Sequence, residues 1–373
     1  MENFGEAIPK LGFGLMRLPM NDKQIDVAQM TEMVDIFLDN GFTYFDTAYG
    51  YINGQSEEAV KTAVTDRYPR EKFLLATKLP AWMGAKTADE AKQMFWTSLK
   101  RTGAGYFDFY LLHNIGSTRT KVFDNFGIWD FVQELKEKGL IRHAGFSFHA
   151  KADLLDEVLT KHPEMEFVQL QINYADWESP SVQSRKCYEI ARKHGKPIVI
   201  MEPAKGGMLA NTLAPEVRAV FDATGAAASY TSWALRFAAS LDGVMTVLSG
   251  MSSISQMKDN VSFMRDFRPL DDGERAVIEK AREALASIPS IPCTDCKYCA
   301  PGCPKGIVIP DILEMLNREL VYKNPAEAKM GYFFTTLFGG KGSECTSCGT
   351  CEEACPQDIK IMELIKEAAA KYE

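Results

Sequence analysis

Up to about residue 265, short apolar runs alternate with longer stretches in which apolar residues recur every three or four positions. The short runs are LGFGL (11–15), TYFDT (43–47), FLLATKL (73–79), FDFYLLH (107–113), RHAGFSF (142–148), FVQLQIN (167–173), PIVIME (197–202) and VMTVLS (244–249). Several are apolar at nearly every position, which suits strands covered on both faces, as in a parallel sheet. The longer stretches read as amphipathic helices. Val27, Met30, Met33, Val34 and Phe37 fall on one face ahead of Gly41, and Ile128, Phe131, Val132 and Leu135 do the same ahead of Gly139. Eight strand signals, each followed by a helix signal, predict an α/β fold of the (β/α)8 TIM-barrel type over residues 1–265 rather than an open doubly wound sheet. No G-x-G-x-x-G opens a helix, and GGKGSE (339–344) lacks P-loop spacing and reads as a turn.

Beyond this the pattern changes. DDGERAVIEKAREALASI is a polar helix ended by Pro289 and Pro292, so 266–291 reads as a helical linker. Residues 292–373 form a second, small domain. Its segment IPDILEMLNRELVYKNPAEAKMGYFFTTLF carries helical spacing, so this domain is expected to be mostly helical. The only internal repeat legible in the chain is a pair of cysteine motifs.

Those motifs are the sharpest feature of the composition. Of nine cysteines, eight follow residue 292, in CTDCKYCAPGCP (293–304) and CTSCGTCEEACP (345–356). Each has the form C-x2-C-x2-C-x3-C-P. A disulfide scaffold would spread its cysteines through a small secreted domain; two confined, identically spaced clusters point to metal ligation. Cys187, alone in QSRKCYEIARKHG, reads as a small buried apolar residue. The motifs are similar to those with which bacterial ferredoxins hold [4Fe-4S] cubanes, and three cysteines in step followed by C-P do not match paired C-x2-C zinc sites. In two-cluster ferredoxins the fourth cysteine of each motif ligates the other cluster. The similarity therefore implies Cys293, Cys296, Cys299 and Cys355 on one cubane, and Cys345, Cys348, Cys351 and Cys303 on the other.

In a barrel the chemistry collects at the C-terminal strand ends. Those ends carry Asp46, Lys78 and His113 on three consecutive strand signals, with Tyr51 five residues beyond Asp46. Singly each has a bland reading: a cap, a surface lysine, a core histidine. Four at one mouth is a different matter. Through PKLGFGLMRLP, GFTYFDTAYGYINGQSEEAV, LLATKLP, FDFYLLHN, IRHAGFSF and GMSSISQMKDN, residues 9–260 resemble the aldo-keto reductases. The resemblance implies that Asp46, Tyr51, Lys78 and His113 form a catalytic tetrad. Tyr51 would protonate a carbonyl oxygen that His113 orients, while nicotinamide delivers a hydride. Lys78, held charged by Asp46, would lower the pKa of the Tyr51 phenol.

The resemblance also places Ser147 and Gln169 at the nicotinamide carboxamide, Met201 where an aromatic usually stacks, and Gly250, Ser252, Gln256 and Asn260 around the nucleotide. Phe148 stands where the family usually has Asn. Gly250 and Gln256, at positions commonly Lys and Arg, offer no charge to a 2′-phosphate. NAD is accordingly favoured over NADP, and GGML (206–209) with GMSS (250–253) would also suit the phosphate of FMN. Three functions follow from these parts. The first is an iron–sulfur aldo-keto oxidoreductase that reduces a carbonyl, or oxidises an alcohol, with NAD(P)H. The alternative is an electron-transfer oxidoreductase whose clusters exchange electrons with the barrel, through a flavin or directly, and with a ferredoxin or flavodoxin-type partner. The third is a non-catalytic redox sensor or subunit. Trp82, Trp129 and Trp177 suit either an apolar pocket or core packing. A net charge of −8 without a basic run argues against nucleic acid. The opening MENFGEAIPK has no secretory pattern and no 18-residue apolar run exists, so a cytoplasmic protein without a membrane partner is expected.

Overall fold

A computed structural model describes residues 8–116, 119–180, 182–210, 213–226, 228–293, 297–355 and 357–373. Eight strands among these residues close a parallel barrel: β1 (Leu11–Gly14), β2 (Tyr44–Asp46), β3 (Leu74–Leu79), β4 (Phe107–Ile115), β5 (Ile141–Phe148), β6 (Phe167–Gln171), β7 (Ile198–Met201) and β8 (Val244–Ser249). Each pairs with its neighbours in sequence, and β8 pairs back to β1 through Leu11–Val247, Gly12–Leu248 and Phe13–Ser249. All eight coincide with the apolar runs of the sequence, with ends differing by one or two residues. A two-stranded hairpin, Met20–Asn21 with Gln24–Ile25, is additional. Its turn carries Asp22 at φ 54°, a conformation that Asp tolerates better than most residues.

Side-chain parity explains what the barrel encloses. Tyr44, Ala76, Phe109, Leu111, Phe167, Val199, Met245 and Leu248 fill the interior, where Tyr44 packs on Phe109 at 5.0 Å and Phe109 on Phe167 at 5.3 Å between ring centroids. Phe45, Leu75, Tyr110, Phe146, Val168 and Ile200 face the other way, into the core shared with the surrounding helices. Because strand side chains alternate, Asp46, Lys78, His113, Ser147, Gln169 and Met201 all share the inward parity. A one-residue slip of any strand would turn its polar residue into the helix layer.

The described residues divide into two compact units. One holds residues up to Lys205 with Thr231–Asp272, and the other holds Gly206–Tyr230 with Gly273–Glu373. The stretch after β7, with the helix Pro215–Asp222, therefore groups with the C-terminal residues. So does most of the polar helix, here Asp272–Ala286. The second unit also has helices Ile309–Tyr322, Pro325–Thr336 and Ile361–Tyr372 around a core of Ile312, Leu313, Leu316, Tyr332, Ile361 and Ile365. No described helix is long and apolar enough to cross a membrane.

Gly145 on β5 has no room for a side chain, since a Cβ there would lie 2.5 Å from the Phe167 carbonyl oxygen and 2.6 Å from its ring. Gly145→Ala is expected to strain the β5–β6 contact and cost about 1–3 kcal/mol, as overpacking does. Denaturant unfolding should show a lowered midpoint; an unchanged one would mean that the ring and strand yield freely.

Candidate functional site

The C-terminal ends of β2, β3 and β4 bring three of the predicted residues together, and the loop after β2 brings the fourth. Lys78 is fully buried, and its ammonium donates to Asp46 Oδ1, to the Thr47 carbonyl at 2.8 Å and to the Tyr51 hydroxyl at 3.3 Å. The His113 ring meets the Tyr51 ring edge-on with centroids 5.9 Å apart. Tyr51 lies on a 3-10 turn, Tyr51–Gly54, whose Ile52 and Asn53 adopt left-handed backbone angles. That costly conformation is held from outside: Arg101 donates to the Tyr49 carbonyl at 3.0 Å and pairs with the buried Glu57 at 3.3 Å. Gly54, at φ 89°, lies against the same guanidinium, where a Cβ would come within 2.9 Å.

Burial governs the electrostatics here. The low-dielectric surroundings push Tyr51 above its ordinary pKa, and the ammonium of Lys78 pulls it back only in part. This departs from the expectation that Lys78 makes the phenol more acidic. Desolvation of the phenolate outweighs one hydrogen bond from a cation that is already paired with Asp46. Burial works to lower the pKa of Lys78, but the Asp46 carboxylate and Tyr51 outweigh it and the net direction is upward, so Lys78 is an ammonium at neutral pH. His113 is pushed well below the usual imidazole range by burial, with Lys78, His149 and Arg119 adding to the effect. It is therefore neutral at pH 7, and its Nδ1 has no hydrogen-bond partner.

The residues expected around a nucleotide are already engaged with one another. Gln169 donates to Asp46 Oδ2 at 3.0 Å. Ser147 Oγ accepts the Asn114 N–H at 2.8 Å. Gln256 turns its side-chain oxygen onto the Ser252 N–H at 2.7 Å, and Ser252 Oγ donates to the Arg17 carbonyl at 2.6 Å. Asn260 is buried and donates to Ser249 Oγ at 2.6 Å. Met201 is half-buried at the end of β7, and Gly250 is exposed with the Arg17 side chain nearest. The GGML stretch belongs to the second compact unit, whereas Gly250–Ser253 belongs to the barrel unit.

Sequence reasoning named Trp82 but not its partners, and it passed over other residues near this mouth. Trp82 donates to the His113 carbonyl at 2.7 Å, and the Arg119 guanidinium lies 4.7 Å from the centre of its indole. His149 follows Ser147 with the same parity just past β5. Its side chain is exposed, and partial desolvation, the largest cause, lowers its pKa. Alternation along β5 was the signal that would have found it. A second buried ion pair, Lys205 to Asp176 at 2.5 Å with Asn173 donating to the same carboxylate at 2.8 Å, ties the β6 and β7 ends together. Of the other two indoles named from the sequence, Trp129 stacks on His162 at 3.6 Å and Trp177 packs on Phe237, both as core. Cys187 is buried, its thiol pushed up to about 12 by burial.

In the second unit the cysteines surround two cavities. Cys303, Cys345, Cys348 and Cys351 line one, with Lys305, Ile307, Ile309, Met362 and Ile365. Cys293, Cys299 and Cys355 line the other, with Lys297, Pro310, Leu313, Gln357, Ile359 and Ile361. Cys296 lies outside the described residues. The two linings correspond under an offset of 52 residues: Cys303 with Cys355, Ile307 with Ile359, Ile309 with Ile361, Pro310 with Met362, Leu313 with Ile365. Backbone bonds repeat likewise, Gly306 N to Cys303 O as Asp358 N to Cys355 O, and Ile309 N to Ile307 O as Ile361 N to Ile359 O. The repeat thus extends beyond the cysteine motifs through I-x-I into the following helices. At Gly302 a Cβ would lie 2.8 Å from Thr350, so the two motifs abut. Among the described residues no three His, Cys, Asp or Glu side chains converge as a single metal ion requires.

Comparison with known proteins agrees with this architecture. The model of the aldo/keto reductase family matches residues 10–283, and that of a 4Fe-4S dicluster domain matches 292–360. An aldo-keto reductase of Mycolicibacterium vanbaalenii is 27% identical over 263 residues, 69% of this chain and 84% of that protein. One from Mycolicibacterium smegmatis is 31% identical over 145 residues, 39% of this chain. In that match, as in several others, the chain spans about half (48%) of the relative's length. The solved holo form of aldo-keto reductase AKR11C1 from Bacillus halodurans superimposes with a TM-score of 0.61 at 26% identity, over 74% of this chain and 93% of that one. With its closed eight-stranded barrel and a family match over most of its length, the chain belongs to the aldo/keto reductase family of oxidoreductases and carries a C-terminal 4Fe-4S dicluster domain.

Proposed function

We propose that the barrel interconverts a small carbonyl compound and its alcohol, with Tyr51 transferring the proton. The observation that carries this reading is the convergence of Asp46, the Thr47 carbonyl and the Tyr51 hydroxyl on the Lys78 ammonium. A nicotinamide cofactor, when bound, supplies or takes the hydride. Lys78 fixes the phenol and stabilises the charge left on it once its proton has gone to the carbonyl oxygen. His113, neutral and beside Tyr51, orients that oxygen. Ser147 keeps its hydroxyl proton for the carboxamide of the cofactor, and Gln169, its amide spent on Asp46, offers its carbonyl oxygen. NAD is favoured over NADP because Gly250 and Gln256 bring no cation.

Eight cysteines hold two cubanes in this reading: Cys293, Cys296, Cys299 and Cys355 one, Cys345, Cys348, Cys351 and Cys303 the other. The grouping of seven of them around two mostly apolar cavities supports it. Such clusters supply single electrons, whereas hydride transfer moves a pair. The paired cavities therefore favour a second role, electron exchange between the dicluster domain and the barrel, with FMN as a candidate intermediary. Its test is anaerobic turnover with a low-potential one-electron donor in place of NADH. Activity lost with the clusters would support the exchange, and NADH turnover unaffected by their removal from folded protein would exclude it.

Tyr51→Phe should lower carbonyl reduction by about 10²–10⁴-fold, the usual contribution of a positioned proton donor, while iron content and far-UV circular dichroism stay unchanged. Full turnover would remove Tyr51 from the mechanism. For the wild type, raising pH removes the phenolic proton, so reduction should fall only above about pH 10 and alcohol oxidation should rise there. No break is expected near pH 6.5, because His113 is already neutral.

Cys355→Ser should damage the cubane of Cys293 and Cys299. Iron should drop from about eight to about four per chain. The paramagnetic resonance spectrum left behind should match that of Cys299→Ser; a match to Cys351→Ser would make the crossed assignment wrong.

A further inference from the structure

Helix Pro325–Thr336 is apolar on two sides. Ala328, Tyr332 and Thr336 are buried beneath it, and Gly331 lies against the Met315 side chain with no room for a methyl. Met330, Phe333, Phe334 and Leu337, with Phe338 just beyond, expose 53%, 56%, 51%, 52% and 70% of their surfaces. Their spacing of i, i+3, i+4, i+7 and i+8 makes one stripe. Large apolar residues exposed together in this way mark an interaction site.

The stripe ends at a cysteine cavity. Two residues past Phe338, Gly340 donates to the Gly306 carbonyl at 2.9 Å and bridges to Ile307, whose N–H reaches Cys303 Sγ at 3.4 Å. Cations frame it: Lys323 and Lys329 toward the start of the helix, Lys305 and Lys341 at the cavity end, all exposed. Between residues 323 and 343 the sequence has one carboxylate, Glu327. At 1.5 Å per residue the stripe is roughly 12 Å long. Its five large side chains are few beside the roughly 20–30 residues a side of a stable interface, which suits a transient redox encounter.

We propose that this stripe docks an acidic one-electron carrier protein of the ferredoxin or flavodoxin type, whose carboxylates meet the four lysines. The inference rests on the reading that the eight cysteines hold cubanes. In each encounter one electron leaves the reduced carrier and enters an oxidised cubane, and no bond or proton moves.

The test uses the anaerobic holoprotein, Phe333→Ser/Phe338→Ser and Lys329→Glu/Lys341→Glu, with a recombinant acidic bacterial ferredoxin as probe. Calorimetry reads docking by itself; stopped-flow bleaching of the cluster absorbance reads electron entry, with dithionite as a partner-free donor. Each double variant is expected to weaken binding and slow ferredoxin-driven bleaching at least about tenfold, leaving iron content and dithionite bleaching unchanged. Wild-type binding should weaken as salt shortens the screening length from about 30 Å to about 3 Å, between about 0.01 and 1 M. Unaltered binding and bleaching in both variants overturn the proposal. So does a wild-type dimer that the Phe variant dissolves, which would assign the stripe to a second copy. Adsorption to anionic phosphatidylglycerol vesicles that the Phe variant abolishes would assign it to a membrane and equally end the idea. Failure of the cubane reading would appear separately, as absent iron or no bleaching by dithionite.

Discussion

The site depends on keeping one ammonium without water. Lys78 has no exposed surface, and an unpaired charge so placed would cost several kcal/mol. The cost is offset only because Asp46, on the neighbouring strand, reaches the same point from β2. That meeting requires the β2–β3 register, with Asp46 beside Ala76, and the β3–β4 register, with Lys78 beside Leu111. Gln169 then reaches Asp46 from β6, across the barrel interior. A closed barrel is the arrangement that lets residues 46, 78 and 169 touch, so the ion pair and the closure presuppose each other.

The same burial decides how the phenol behaves. In water, a nearby ammonium would make Tyr51 more acidic; in this enclosure the loss of hydration outweighs it. The Tyr51 phenol is therefore protonated at neutral pH, the state that the proposed proton donor requires. Arg101 contributes from a distance by holding the Tyr49 carbonyl, and with it the strained turn on which Tyr51 stands.

Most of the barrel was legible because its strands are short apolar runs, and β2, β3 and β4 each carry an ionisable residue toward the C-terminal end. Asp46, Lys78 and His113 were conspicuous for that reason. What stayed hidden was contact between distant residues: Gln169 with Asp46, Lys205 with Asp176, Trp82 with the His113 carbonyl. No local spacing encodes these. His149 was hidden differently: Ser147 came from the family resemblance and not from the strand alternation that leads on to residue 149. The grouping of Gly206–Tyr230 with the C-terminal unit also escaped, since nothing in its composition differs from an ordinary barrel loop. In the dicluster domain the spacing made the cysteines plain, whereas the I-x-I continuation of the repeat was too short to stand out from any apolar helix entry.

The interleaving of the two cysteine cavities bears on the order in which the chain is made. Cys293 and Cys299 leave the ribosome early in this domain, yet Cys355, which faces the same cavity, follows them by more than fifty residues. Cys303 likewise waits for Cys345, Cys348 and Cys351. Neither cavity can be walled until both halves of the repeat exist, so a nascent chain passes through a long interval with its thiols open to oxygen and stray metal. A barrel can be complete during that interval, and its cysteine-rich companion cannot.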